Sequence, residues 1–451
     1  MRGPLRFRHR PRVLIVGASA LVVLLPLMTQ VGVGGAPVVG PPLPLMVSMA
    51  AIDPTTLAVT SELAKRLRTH VEYLAGPKLS GRKPGTPGNR AAADYIAARF
   101  GEVGLVALPS VGSYGQQISP ALGDNLIGLR PGTSPDSAAP WLLIGAHYDH
   151  LGGQYLGADD NASAVAILLE TARILPRLPH HHLLFVAFNA EEPPFIRTPN
   201  MGSQYFVDHL PQEIGSPSHL HTAIIMDLMG GVHWEPLRDV VFAAGAEKSP
   251  GLARRLKEMT QASGARLEAR GQNLPVSPIA HSPLPLAVLP LGLHLVEEIP
   301  VIGQVSFSDY DSFRNASVPF LFLSSGRTPR YHQPSDLPDT LHYERMAATV
   351  KWLANLAERM DQDTAPYEFQ ANRIEFAGEV TTLRPLVAQA AKWETGIPGT
   401  SSLSHWKLEK DDKWLEGLDL TAPTPEALRR LERISIRLQC LLADFPLCFL
   451  I

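Results

Sequence analysis

Cysteine is almost missing from this chain: its 451 residues include two, Cys440 and Cys448, both near the C-terminus. They belong to no cysteine-rich metal motif and offer no nucleophile near other reactive groups. The pair is open to two readings, one disulfide in an oxidising compartment or two partly buried thiols. A surplus of charge of one sign is also missing. The formal net charge is −3, from 40 Lys and Arg against 43 Asp and Glu. With no sustained basic stripe, that balance argues against a nucleic-acid partner. There is no Gly-x-Ser-x-Gly elbow to support serine catalysis. No phosphate-cradling glycine motif appears either, and there is no internal repeat.

What remains is ordinary globular composition, 45% hydrophobic and 18% charged. The length suits one large α/β domain with additions, or two domains. The 41 prolines concentrate in loops. One segment stands apart. Arg2, Arg6, Arg8, Arg10 and Arg12 precede an apolar run from Val13 to Met28 that extends weakly to Gly34. A cationic start before an apolar stretch reads as an export signal, and the run is also long enough to serve as an uncleaved anchor with the arginines inside. Ser48-Met49-Ala50 resembles a cleavage site but lies far beyond the apolar core. Either way the body of the protein is expected to face outward. Residues 1–50 are therefore set aside as signal or membrane anchor plus a Pro- and Gly-rich linker. Residues 51–361 form the main domain, and 362–451 a partly helical extension of open role.

Within the main domain, helical patterns run over Thr55–Leu74, Ala164–Leu175 and Tyr343–Met360. Asn89 reads as the cap of another helix ending near Phe100. The turn-rich loop Ser80–Gly88 precedes it. Trp141–Ala146, His182–Phe188, Ala223–Met226 and Val318–Leu323 read as buried strands. Strands alternating with helices predict an α/β fold: a doubly wound, mostly parallel central sheet flanked by helices. The proline-rich stretch from Gln272 to Gly303 reads as a long loop over a sheet edge. In the extension, Pro425–Leu442 reads as a helix capped by Thr424.

Every candidate strand leads to a group able to bind metal. The first runs into His147-Tyr148-Asp149. The second precedes Asn189-Ala190-Glu191-Glu192, the third ends at Asp227, and the fourth leads to Tyr331-His332. A fifth group lies in Gly157-Ala158-Asp159-Asp160-Asn161-Ala162-Ser163, just before a helix. Open parallel sheets bind ligands beyond the carboxyl ends of their strands. Zinc takes nitrogen and oxygen donors and keeps a position for water in catalytic sites. A pair of such ions needs a bridging carboxylate, and an unligated carboxylate must collect the water's proton. Glu191-Glu192 offers one acid for each task.

These segments, with Met226-Asp227 and Tyr331-His332-Gln333-Pro334-Ser335-Asp336, resemble in order and spacing the M28 family of co-catalytic zinc peptidases, over roughly Thr55 to Met360. The resemblance implies two Zn2+ per chain. One would take Asp160, Glu192 and His332, and the other Asp160, His147 and Asp227. Asp160 would be the bridge, Glu191 the general base, and Asp149 the group that orients His147. Ser308-Asp309-Tyr310 is similar to the family's Ser-Asp-His segment, with tyrosine in third place and its role open. Two departures stand out. Ala164 replaces the usual glycine, and Pro193–Met201 lengthens the loop after Glu192, where it is expected to shape the substrate pocket.

Taken singly, each residue has a plainer reading. Asp159-Asp160-Asn161 could be helix capping, and Glu-Glu pairs are usually solvated. Five such coincidences in one family's order favour the metal site. His180-His181-His182, by contrast, reads as surface or the start of a strand, and Pro425–Leu442 as a packing helix. The resemblance implies a metallopeptidase acting on peptides, foremost an aminopeptidase. A single-zinc glutaminyl cyclase of the same fold is the nearest rival. A non-catalytic ectodomain for partner binding is a third reading, and carboxypeptidase or amidohydrolase action stays open. Cobalt or manganese would also suit such ligands.

Overall fold

In the computed structural model the described residues run from 54 to 442, apart from 135–138, 233, 364, 393–401, 422 and most of 262–306. The N-terminal segment 1–50, Cys448 and the side chain of Cys440 lie outside them, and so do the expectations placed on them. Among the described residues no helix is long and apolar enough to cross a membrane.

The strands are β1 (Gly115–Ser119), β2 (Gly123–Arg130), β3 (Trp141–His147), β4 (His182–Phe188), β5 (Leu220–Met226), β6 (Val240–Ala244), β7 (Ala265–Ala269), β8 (Gln272–Val276), β9 (Ala287–Leu291), β10 (Glu298–Ile299), β11 (Gly303–Gln304) and β12 (Phe320–Ser324). Eight of them form one sheet in the order β1-β2-β4-β3-β5-β12-β6-β9. Its centre, β4-β3-β5-β12, is parallel throughout. The β1–β2, β2–β4 and β12–β6 pairings are antiparallel. β7 with β8 and β10 with β11 make two small separate pairs. The mostly parallel sheet expected from the sequence is therefore present, with antiparallel additions.

The central strands are buried on both faces, so they read as continuous apolar runs rather than alternating ones. In β3, Leu142, Ile144 and Ala146 join one core, while Trp141 and Leu143 join the opposite one. The first core is covered by α1 (Pro54–Leu74), α2 (Pro87–Glu102), α3 (Ala164–Ile174) and α7 (Tyr343–Met360). In α7 the buried Met346, Val350, Leu353, Ala357 and Met360 recur at helical spacing along the face toward α1 and α3. The opposite core is covered by α4 (Gly202–Asp208) and α6 (Tyr310–Asn315) through Phe206 and Phe313. Among the described residues the main domain has one further α-helix, α5 (Pro250–Gln261).

Three expectations change. Asn89 does not cap α2: Thr86 does, accepting from the Asn89 N–H at 3.3 Å, and Asn89 is buried inside the first turn. With Pro87 suiting the first helical position, the helix starts earlier than Asn89 suggested. The stretch 272–303 is not simply a loop, because β9 lies within it and pairs parallel with β6 at the sheet edge. Pro290 masked that strand, since proline is confined to edge positions where its missing N–H breaks no ladder. Finally, His181 is not on the surface. It is buried, its Nδ1 lying 3.0 Å from Asp361 and its ring 4.6 Å from that of His221, while His182 begins β4.

Beyond residue 361 the chain forms α8 (Phe376–Ala390), α9 (Ser402–Glu416) and α10 (Pro425–Leu442). Thr424 caps α10 by accepting from the Ala427 N–H at 3.1 Å. Val380, Leu383, Val387, Leu408, Leu431 and Ile434 build a third core directly on Val240, Ala287 and Leu289 of β6 and β9. These helices cover the β9 edge.

Candidate metal centre

The four parallel strands deliver their following residues to one edge. His147 ends β3, Asp227 follows β5, and Glu191-Glu192 follow β4 after Asn189 and Ala190. His332 lies beyond β12. Asp160 comes from the loop between β3 and α3. All five predicted ligands are brought together there. His147 Nε2 lies 3.4 Å from Asp160 Oδ1 and 3.5 Å from Asp227 Oδ1. His332 Nε2 lies 3.1 Å from Asp160 Oδ2 and 3.1 Å from Glu192 Oε2. Asp160 thus turns one oxygen toward each group of donors. Glu191 stands beside the first of these groups, its Oε2 3.8 Å from His147 Nε2.

Neighbouring residues hold this arrangement in place. Asp336 accepts from the N–H groups of Asp159, at 2.8 Å, and Asp160, at 3.1 Å. Asn161 donates to the Met226 carbonyl at 3.0 Å, tying the Asp160 loop to the end of β5. Asp159 is not a helix cap: its Oδ1 accepts from Gly230 and Gly231 N–H at 2.7 and 2.8 Å. Gly157 is required where it stands. Its φ is +63°, and a Cβ there would meet the Asp160 carbonyl oxygen at 2.2 Å. Asp149 lies 3.7 Å from His147 Nδ1, beyond hydrogen-bonding range. Its oxygens instead accept from the N–H groups of Glu191 and Glu192 at 3.1 and 3.2 Å. It therefore positions the acid pair as well as facing the histidine.

Sequence reasoning passed over His150. It is fully buried, with Nδ1 2.7 Å from Glu192 Oε1 and 3.8 Å from Asp160 Oδ2. Two sets of three residues have ligand atoms within 4.8 Å of one another: His147, Asp160 and Asp227, and His150, Asp160 and Glu192. The signal was adjacency, since His150 directly follows His147-Tyr148-Asp149. Asp309 also reaches the site region and is fully buried, whereas Tyr310 turns into the core and stacks on Phe320. The segment Pro193–Met201 folds as consecutive turns, with Phe195 N–H bonded to the Glu192 carbonyl and Gly202 N–H to Asn189.

The electrostatics reflect carboxylates crowded out of water. Burial drives Glu191 well above the usual carboxylate range; His147 opposes this, while Glu192, Asp309 and Asp227 add to it. Burial likewise raises Asp309 to about 7, against His147. Asp160 moves the other way: burial alone would raise it, but the nearby His147, His332 and His150 rings outweigh that effect. His332 is raised to about 10, its neighbours Asp160 and Glu192 outweighing the opposite effect of burial. These residues fit a divalent metal on a direct observation. His147 Nδ1 and Nε2, Asp160 Oδ2, Asp227 Oδ1 and His332 Nε2 are buried and make no well-formed hydrogen bond. Unsatisfied groups of that kind are costly unless a cation draws on them.

Comparison with known proteins agrees with the motif resemblance. Residues 125–275 match the model of Peptidase family M28. The chain is 28% identical over 228 residues to the uncharacterized protein YfbL of Escherichia coli K12, covering 48% of this chain and 66% of that one. It is 32% identical over 115 residues to aminopeptidase YwaD of Bacillus subtilis 168, covering 25% of this chain and 22% of that one. The chain thus spans less than two thirds of either curated relative. Among solved structures, a zinc aminopeptidase from Bacillus subtilis superposes with a TM-score of 0.49 at 14% identity, covering 69% of this chain and 98% of that one.

Proposed function

We propose that this chain is a metal-dependent peptidase of the M28 type, most specifically an aminopeptidase that hydrolyses the first peptide bond of its substrate. The observation that carries this reading is Asp160, whose two oxygens face separate donor groups, with the Glu191 carboxylate 3.8 Å from His147 in one of them. The family match and the aminopeptidase relative support the peptide substrate. His147, Asp227 and Asp160 would hold one ion, and His332, Glu192 and Asp160 the other, with zinc the metal best suited to nitrogen and oxygen donors without thiolate. When bound, two such ions lower the pKa of a water and polarise a substrate carbonyl.

The remaining work falls to the chain. Glu191 accepts the proton that water loses as its oxygen attacks the scissile carbonyl carbon, and delivers it to the nitrogen as the C–N bond breaks. Asp149 fixes the backbone of Glu191 through its N–H, so the carboxylate is held in place for both transfers. Burial keeps bulk water from competing for that proton. The turns of Pro193–Met201 start at Glu192 and would line the pocket for the substrate's first side chain. The apolar N-terminal run would place the domain outside the membrane, by export or by anchoring.

A panel of matched peptides with free and acetylated N-termini, assayed before and after chelation and zinc return, tests the reading. Cleavage of free peptides alone, lost on chelation and restored by zinc, is expected. Equal cleavage of both sets would contradict the aminopeptidase assignment, and activity surviving chelation would contradict metal dependence.

A further inference from the structure

The loop Ser80–Gly88 has no part in the mechanism above, yet its backbone is contorted. Ser80, Gly81 and Arg82 all have positive φ, at 45°, 66° and 50°. Two of the three are not glycine, and non-glycine residues persist in this region only when their surroundings hold them there. A Cβ on Gly81 would lie 2.1 Å from the Tyr155 carbonyl oxygen, so glycine is needed for the close approach. The contortion directs the Arg82 side chain inward, where it is fully buried.

That guanidinium makes no ion pair among the described residues. It donates instead to four backbone carbonyls: Nε to Tyr148 at 2.8 Å, Nη1 to Leu74 at 2.5 Å and to Leu156 at 2.7 Å, and Nη2 to Gly157 at 2.9 Å. Leu74 ends α1. Tyr148 lies between His147 and Asp149, and Leu156 and Gly157 lead into Asp159-Asp160. One side chain therefore ties both ends of the loop that carries His147 and Asp160 to the end of a core helix. Arginine suits the task because it offers five donors in a rigid planar fork.

A second connection reaches the acid pair. Asn89 donates to the Arg82 carbonyl and to Asn189 Oδ1, both at 3.0 Å, and Asn189 returns a bond to Asn89 at 3.2 Å. Asn189 stands two residues before Glu191. Burial lowers the Arg82 pKa to about 10, opposed by Asp149, Asp160, Asp336 and Glu192, so the group stays charged at neutral pH.

We infer that Arg82 is a positioning residue for the metal centre, setting the separation of His147 and Asp160 by clamping both ends of the loop between them. This rests on the metal-centre reading proposed above. Asp160 serves both donor groups, so loosening the clamp weakens both.

The test compares wild-type, Arg82→Gln, Arg82→Lys and Asn89→Ala chains, each first shown to be folded by circular dichroism. Zinc dissociation constants are measured by chelator competition, and the absorption spectrum is recorded with cobalt. Arg82→Gln and Arg82→Lys are expected to bind zinc about tenfold or more weakly, as removal of supporting hydrogen bonds does at other metal sites, with altered cobalt bands. Asn89→Ala should show a smaller loss in the same direction. If Arg82→Gln does not fold, Arg82→Lys and Asn89→Ala carry the same readout. A folded Arg82 variant with wild-type zinc affinity and cobalt spectrum would reduce Arg82 to a purely structural role. Wild-type affinity in Arg82→Lys alone would show that charge, not the clamp, matters. Either outcome overturns the proposal while leaving the metal centre standing, whereas a wild-type chain that binds neither metal overturns both.

Discussion

Glu191 and Glu192 are adjacent in sequence and buried together, yet their surroundings differ. Glu192 receives His150 at 2.7 Å and His332 at 3.1 Å, while among the described residues the Glu191 carboxylate has the more distant His147 at 3.8 Å. The first is placed as a ligand, the second as a free base. A comparable contrast of surroundings operates far from the centre, at His221. Burial lowers its pKa to about 3, with His181 adding to the effect and Asp363 opposing it. The imidazole therefore stays neutral in the fold while the unfolded chain takes up a proton near pH 6.5. Its contribution to stability is complete above that pH and is lost as pH falls toward about 3. Unfolding free energies measured from pH 7 to pH 4 should fall more steeply for wild type than for His221→Phe, by up to about 1.4 kcal/mol per pH unit. Parallel profiles would mean that His221 is not held neutral. Glu170 acts in the same direction at lower pH. Burial would raise it, but His70, Arg66 and Arg173 hold it at about 2, so its contribution fades between its ordinary value near 4.5 and that point.

At the scale of elements, the helices beyond residue 361 are the part whose place in the fold most needs a test. Leu431 of α10 is fully buried in the core shared with Leu289 of β9. Leu431→Ala should cost about 2–5 kcal/mol and shift a single denaturant transition as a whole, followed by circular dichroism together with tryptophan fluorescence. A separate early transition, with the main one unmoved, would make α8–α10 an independent appendage. Those helices were only partly foreseen. Pro425–Leu442 carries a cap, a first-turn proline and helical spacing, all local signals. The contact with β6 and β9 depends on distant residues, which local patterns do not encode. The same limit hid β9, whose Pro290 argues against a strand until its edge position is known. By contrast, β3, β4 and α7 were legible nearly residue by residue, because burial on both faces or along one stripe imposes a strict pattern.

Across the molecule, the five predicted ligands meet because four parallel neighbours end at one sheet edge, a consequence of topology that the alternation of strands and helices already implied. What stayed hidden were the groups that support them. Arg82 lies 65 residues before His147, and Asp336 lies 176 residues after Asp160, separations that only the fold closes. His150 was hidden differently, by a neighbouring motif that drew attention to His147 and Asp149. On this reading the sheet edge holds metal in catalytic form, with Glu191 moving the proton. The most direct measurement compares bound zinc and peptide turnover in wild-type and Glu191→Gln chains purified side by side. Equal zinc content is expected, with turnover lower by about 10²–10⁴-fold in Glu191→Gln. Turnover at the wild-type rate in a zinc-loaded Glu191→Gln chain would contradict this reading.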